Sequence, residues 1–125
     1  MFEQDYIMRL IREMVRVISK IIFHKQKTDE EKPDLQDIGA AKRYERLLML
    51  VNAGNINEAE NLLYEELDTS SMDELQSAIF FYSYLNELDN ETLEKADFSR
   101  EEIKEGLLNI LHTFGYGGLA DTLIS

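Results

Sequence analysis

An all-α fold, a bundle of about five to seven helices, is predicted by three observations. Every apolar run has the three-and-four spacing of a helix, and none alternates as a strand does. One proline and six glycines are spread over 125 residues, so few breaks interrupt the helices. Ser or Asn precedes Glu by three residues at Asn55/Glu58, Ser71/Glu74 and Ser99/Glu102. That is the spacing of a capping box, in which the first side chain accepts from an orphan N–H and the glutamate reaches back. A chain of this length reads as one domain, residues 1–125, able to bury about two-thirds of its unfolded surface.

Residues 1–24 read as a basic amphipathic helix. Ile7, Leu10, Ile11, Met14, Val15, Val17, Ile18, Ile21 and Ile22 fall in a sector of roughly 160°. Arg9, Arg12, Arg16 and Lys20 gather on the opposite side. The helix is about 30 Å long, but its charges recur too often for a membrane span. Acidic residues at its start and the lack of a small-residue cleavage site do not fit a signal peptide.

Three destinations are open to that apolar face. It packs into the core or a dimer, it lies on anionic lipid, or it docks in a partner's groove. Its width exceeds the stripe of about 100° that a surface helix needs. This predicts a homodimer with Ile7, Ile11, Met14 and Ile18 at or near the contact, the basic side chains being candidate interaction residues. The membrane surface is disfavoured, because the rest of the chain is acidic. Residues 1–27 hold six basic and three acidic side chains, a surplus of +3. Against −12 for the whole chain, the remaining 98 residues carry −15.

Residues 25–41 read as a polar connector containing Pro33 and Gly39, with one helical turn around Leu35 and Ile38. Its Asp29-Glu30-Glu31 run lacks the alternating oxygen ligands and glycine turn of a calcium loop and reads as a solvated face. An acidic helical body follows over 42–125.

The body opens with a helical hairpin, Tyr44–Leu67. Tyr44, Leu47, Leu48, Leu50 and Val51 line one side of its first helix. Gly54 then stands where a helix C-terminus wants positive φ. Ile56, Ala59, Leu62, Leu63 and Leu67 share a face of the second helix, and the small Ala59 invites close approach. The Gly54–Ala59 run with Leu63 resembles half of a tetratricopeptide repeat. The pattern is degenerate, with Leu47 where that repeat has a small residue and Glu66 where it has alanine.

Asp68–Ser71 reads as a turn into a helix reaching about Leu88. Met72, Leu75, Ile79, Tyr82 and Leu85 form its stripe, and Phe80, Phe81 and Tyr84 widen it. A helix this apolar is expected at the centre. A short run follows over Glu91–Lys95. The next helix begins after Phe98, buries Ile103, Leu107, Ile110, Leu111 and Phe114, and uses Gly106 for a close helix contact. Gly115, Gly117 and Gly118 allow a bend into a short C-terminal helix.

Gln4-Asp5-Tyr6 leading into Arg9, Asn55–Leu67, and Phe98–Ile103 with Gly106-Leu107 together carry a wider likeness. The chain resembles a family of small all-helical proteins of unknown function from anaerobic Gram-positive bacteria. The resemblance implies a fold class and a bacterial setting, and it implies no activity.

The residues point away from catalysis. There is no cysteine, hence no thiolate metal site or nucleophile, which fits a cytoplasmic protein. His24 and His112 read as helix-terminal surface residues, where a cation meets the negative helix end. No helical metal-ligand spacing, serine elbow or glycine-rich loop is present. No catalytic, cofactor or metal residues are assigned. Glu65, Glu66, Asp68, Asp73 and Glu74 read as solubilising surface. Nucleic acid is excluded as a partner by the charge. The reading is a non-catalytic helical protein-interaction module for a protein or peptide, an acidic surface favouring a basic one. The alternatives are a small-molecule-binding protein or enzyme with an aromatic-lined pocket, and peripheral membrane association through the first helix.

Overall fold

The computed structural model describes residues 2–24, 33–65 and 67–124. The acidic run at Asp29–Glu31 and position Glu66 lie outside the described residues. Among those described there are seven helices and no strand: α1 (Phe2–Ile21), α2 (Ile38–Asn52), α3 (Ile56–Glu65), α4 (Met72–Asn86), α5 (Asn90–Lys95), α6 (Arg100–Thr113) and α7 (Gly117–Ile124).

Helix α4 is the hub, packed against α1, α2 and α6. Leu75, Ala78, Ile79, Phe81, Tyr82 and Leu85 are each at most 1% exposed, which is why α4 is apolar on nearly every side. Met72, expected in its stripe, is half exposed. Helix α1 runs antiparallel to α4. Asn86 Nδ2 donates to the Met8 carbonyl at 2.9 Å, and Phe23 stacks on Phe80 at the other end, with ring centroids 6.3 Å apart. Helix α3 folds back on α2, and α7 folds back on α6.

The helix ends follow from local chemistry. Asp37, Ser71, Asp89 and Ser99 each accept a backbone N–H three residues on, opening α2, α4, α5 and α6. Each such cap is worth about 1 kcal/mol. Three helices end in the same double-bonded turn. After α2, Gly54 (φ 90°) donates to Val51 and Asn55 donates to Leu50. After α6, Gly115 (φ 90°) donates to His112 and Tyr116 donates to Leu111. After α5 the left-handed position is filled by Asp97 (φ 55°), with Phe98 N–H bonded to the Leu93 carbonyl.

Helix α2 begins at Ile38, four residues earlier than the body boundary at 42. The expected helical turn around Leu35 is instead an irregular strap, residues 33–37, laid on the start of α4. Asp34 N–H donates to Gln76 Oε1 at 3.0 Å, and Gln76 Nε2 returns a bond to the Asp34 carbonyl at 3.3 Å. Asp73 Oδ2 accepts from the N–H groups of Gln36 and Asp37 at 3.1 and 2.7 Å.

Ala59 is fully buried in the α2–α3 hairpin. Ala59→Leu is expected to destabilise the fold by roughly 1–3 kcal/mol through overpacking. A urea melt with an unshifted midpoint would show that the helices leave room there.

Candidate functional site

The apolar face of α1 belongs to the interior. Ile7, Ile11, Met14 and Ile18 are 7%, 0%, 1% and 0% exposed, covered by the chain's own helices. This corrects their expected place at a dimer contact. The wide sector is accounted for by two packing partners, since α1 meets both α4 and α6. A helix lying on lipid needs its apolar face outside, whereas here that face is turned inward. No helix among the described residues is long and apolar enough to cross a membrane.

Arg9, Arg12, Arg16 and Lys20 are exposed on the outer side of α1. Arg12 makes a two-pronged pair with Glu87, at 2.8 and 2.7 Å, tying α1 to the end of α4. Arg16 pairs with Glu13 on its own helix. Two of the four candidates are thus engaged within the chain.

A groove lies elsewhere, between the start of α1, helix α5 and the start of α6. It measures about 410 Å³. Leu93 and Phe98, each 3% exposed, form its apolar floor. Glu94, Asp97 and Glu102 are exposed and line it, with Gln4, Asn90 and Ser99. Gln4 and the Phe98–Glu102 run come from two of the stretches that carry the family likeness.

Arg100 lies beneath this groove, 2% exposed. It is the first residue of α6, where the positive end of the helix disfavours a cation. Its guanidinium turns back to the C-terminus of α4, whose last carbonyls need donors. Nη1 donates to the Asn86 carbonyl at 2.6 Å and Nη2 to the Leu88 carbonyl at 2.7 Å. Asn86 Oδ1 and Asn90 Oδ1 take further bonds from the same head. Burial holds its pKa below the ordinary arginine value. With its donors committed, Arg100 supports the groove and leaves the rim carboxylates to set its charge. Sequence reasoning missed the groove. The available signal was a cation placed directly after the Ser99 cap.

A second polar group lies where α3, α4 and α6 meet. Tyr82 is fully buried, and its hydroxyl donates to Glu60 Oε2 at 2.6 Å. Tyr64 and Tyr82 hydroxyls are 3.3 Å apart, and Asn109 Nδ2 donates to Tyr64 at 3.2 Å. Burial first, then the bonds to Glu60 and Tyr64, push the Tyr82 phenol far above its ordinary pKa. It remains a donor, which suits a structural tie. Phe80, Phe81 and Tyr82 are core, in place of an aromatic-lined pocket.

The acidic group around Asp68 is not all solvated surface. Asp68 accepts from Ser70 within its turn, and Asp73 holds the 33–37 strap. Glu74, only 7% exposed, pairs with Arg43, so it does not reach back to its cap. No cluster of three metal-ligating side chains occurs among the described residues. His24 follows α1 with φ 57°, and His112 faces Asp121 of α7 at 3.7 Å.

No curated protein and no solved structure matches the chain. Residues 1–115 match the model of a family of unknown function (DUF6483), and the chain belongs to that family.

Proposed function

We propose that this protein is a non-catalytic interaction module that takes a basic segment of a partner protein in the α1–α5–α6 groove. The observation that carries the reading is the pairing of an apolar floor with an acidic rim. Leu93 and Phe98 suit the alkyl stem of a lysine or arginine, which buries its methylenes while its head stays polar. Glu94, Asp97 and Glu102 stand where that head emerges. The wider field agrees, since the chain outside residues 1–27 is strongly acidic, and such fields steer oppositely charged partners.

Asp97 adds a local argument. It occupies a left-handed position that glycine fills at the ends of α2 and α6. Non-glycine residues in that region cluster at functional sites, and a carboxylate there gives the groove charge that glycine would not. The degenerate tetratricopeptide-like hairpin fits the same reading, since stacked helix pairs commonly scaffold binding surfaces.

The test is fluorescence anisotropy with a labelled lysine- and arginine-rich peptide. Glu94→Gln, Asp97→Asn and Glu102→Gln are combined in one variant. Asn tolerates the left-handed position, and Gln preserves the capping box of α6. Each exposed charge pair is worth about 0.2–1 kcal/mol, so the triple change should weaken binding roughly tenfold. Added salt should weaken the native complex more than the variant's. Equal affinity for the two proteins would remove the groove from the account.

A further inference from the structure

Resting on the reading of the groove as a seat for a basic segment, we propose that Asn90 fixes that segment by donating from Nδ2 to one of its backbone carbonyls. Arg100 sets the orientation of the Asn90 amide. A basic segment brings two kinds of polar group. Its ammonium or guanidinium heads suit Glu94, Asp97 and Glu102, but its backbone carbonyls need donors. Ionised carboxylates only accept. The Ser99 hydroxyl is committed to the Glu102 N–H and carboxylate, at 3.1 and 3.3 Å.

Asn90 lines the groove and is exposed. Arg100 donates to its side chain from Nε at 3.3 Å and from Nη2 at 3.1 Å. A guanidinium carries donors only, so the amide atom that meets it is the oxygen. The planar amide then turns Nδ2 away from the buried Arg100, toward the open side of the groove. Asn86 shows what this arrangement does. Its Oδ1 also accepts from Arg100, at 3.2 Å, and its Nδ2 donates to a backbone carbonyl of another segment, that of Met8, at 2.9 Å. For Asn90 the corresponding carbonyl comes from the docked segment. Two effects favour the bond. The charged donor at Oδ1 polarises the amide and strengthens its N–H groups as donors. A side chain already held by Arg100 also has less rotamer freedom to lose on binding.

Asn90→Asp tests this with the labelled lysine- and arginine-rich peptide. The substitution keeps an oxygen for Arg100 and replaces the donor with an acceptor. A carbonyl left facing an acceptor costs about tenfold in affinity. One further exposed carboxylate beside a basic ligand gains about threefold. The variant is therefore expected to bind roughly threefold more weakly, although it carries one more negative charge. Equal or tighter binding by Asn90→Asp, with the triple carboxylate variant still weakened, would overturn this assignment alone. A native protein that does not bind the peptide would overturn the reading of the groove and this assignment with it. Nuclear magnetic resonance of the Asn90 side-chain amide gives an independent reading. On saturation with peptide, one of its two Nδ2 protons should move downfield selectively as it enters the hydrogen bond. Side-chain resonances that keep their free positions while the peptide binds would also overturn the assignment.

Discussion

Arg100→Ala is expected to cost about 3–5 kcal/mol, because it removes charge-assisted hydrogen bonds of about 1.5–3 kcal/mol each from two backbone carbonyls. The carbonyls of Asn86 and Leu88 would lose their guanidinium donors. A buried group left unpaired costs about 1–3 kcal/mol, and the space vacated by the side chain adds to that. Arg100→Lys should recover little, because an ammonium has three donors on one atom and no planar fork. Urea denaturation of both variants checks this. A lysine variant as stable as the native protein would mean that charge alone, without the fork, holds the α4–α5–α6 junction.

Gly106→Ala should lower stability by about 3 kcal/mol, the upper end of ordinary overpacking. It should do so although alanine is the better helix former by about 1 kcal/mol. A Cβ at Gly106 would stand 2.4, 2.5 and 2.6 Å from Cζ, Cε1 and the hydroxyl oxygen of Tyr82. The ring has nowhere to go. It is fully buried, meets Phe81 edge-on at 5.2 Å, and is held by its bond to Glu60. Combining Gly106→Ala with Tyr82→Leu should make the alanine far less costly, because the obstructing ring is gone. Strictly additive effects in that double-mutant cycle would contradict the contact.

These two residues also show how far the sequence was legible. Gly106 stood out as a glycine inside a helical pattern, and a close contact was the natural reason. The partner, Tyr82, was beyond reach, because pairing across helices depends on how α4 and α6 rotate against each other. Gly54, Ser71 and Ser99 were readable because capping is local and their partners lie within four residues. Asp37 was missed because Gly39-Ala40-Ala41 has no apolar period to announce α2. The centrality of α4 followed from its lack of a polar face. The width of the α1 face was read correctly, but its cause was not. Two neighbours from the same chain cover Ile7, Ile11, Met14 and Ile18, and sequence periodicity does not distinguish them from a second copy.

The groove was illegible for a related reason. Gln4, Leu93, Asp97 and Glu102 belong to three separate segments and share no spacing. Only the fold brings them to one place, through the Arg100 tie and the left-handed turn at Asp97.

The central claim is that this groove receives a basic segment. Amide chemical-shift mapping of the isotope-labelled protein during titration with a lysine- and arginine-rich peptide tests it most directly. The account predicts saturable shifts centred on Asn90–Glu102 and the start of α1, with the α2–α3 hairpin unmoved. Shifts centred on another surface, or none at millimolar peptide, would contradict it.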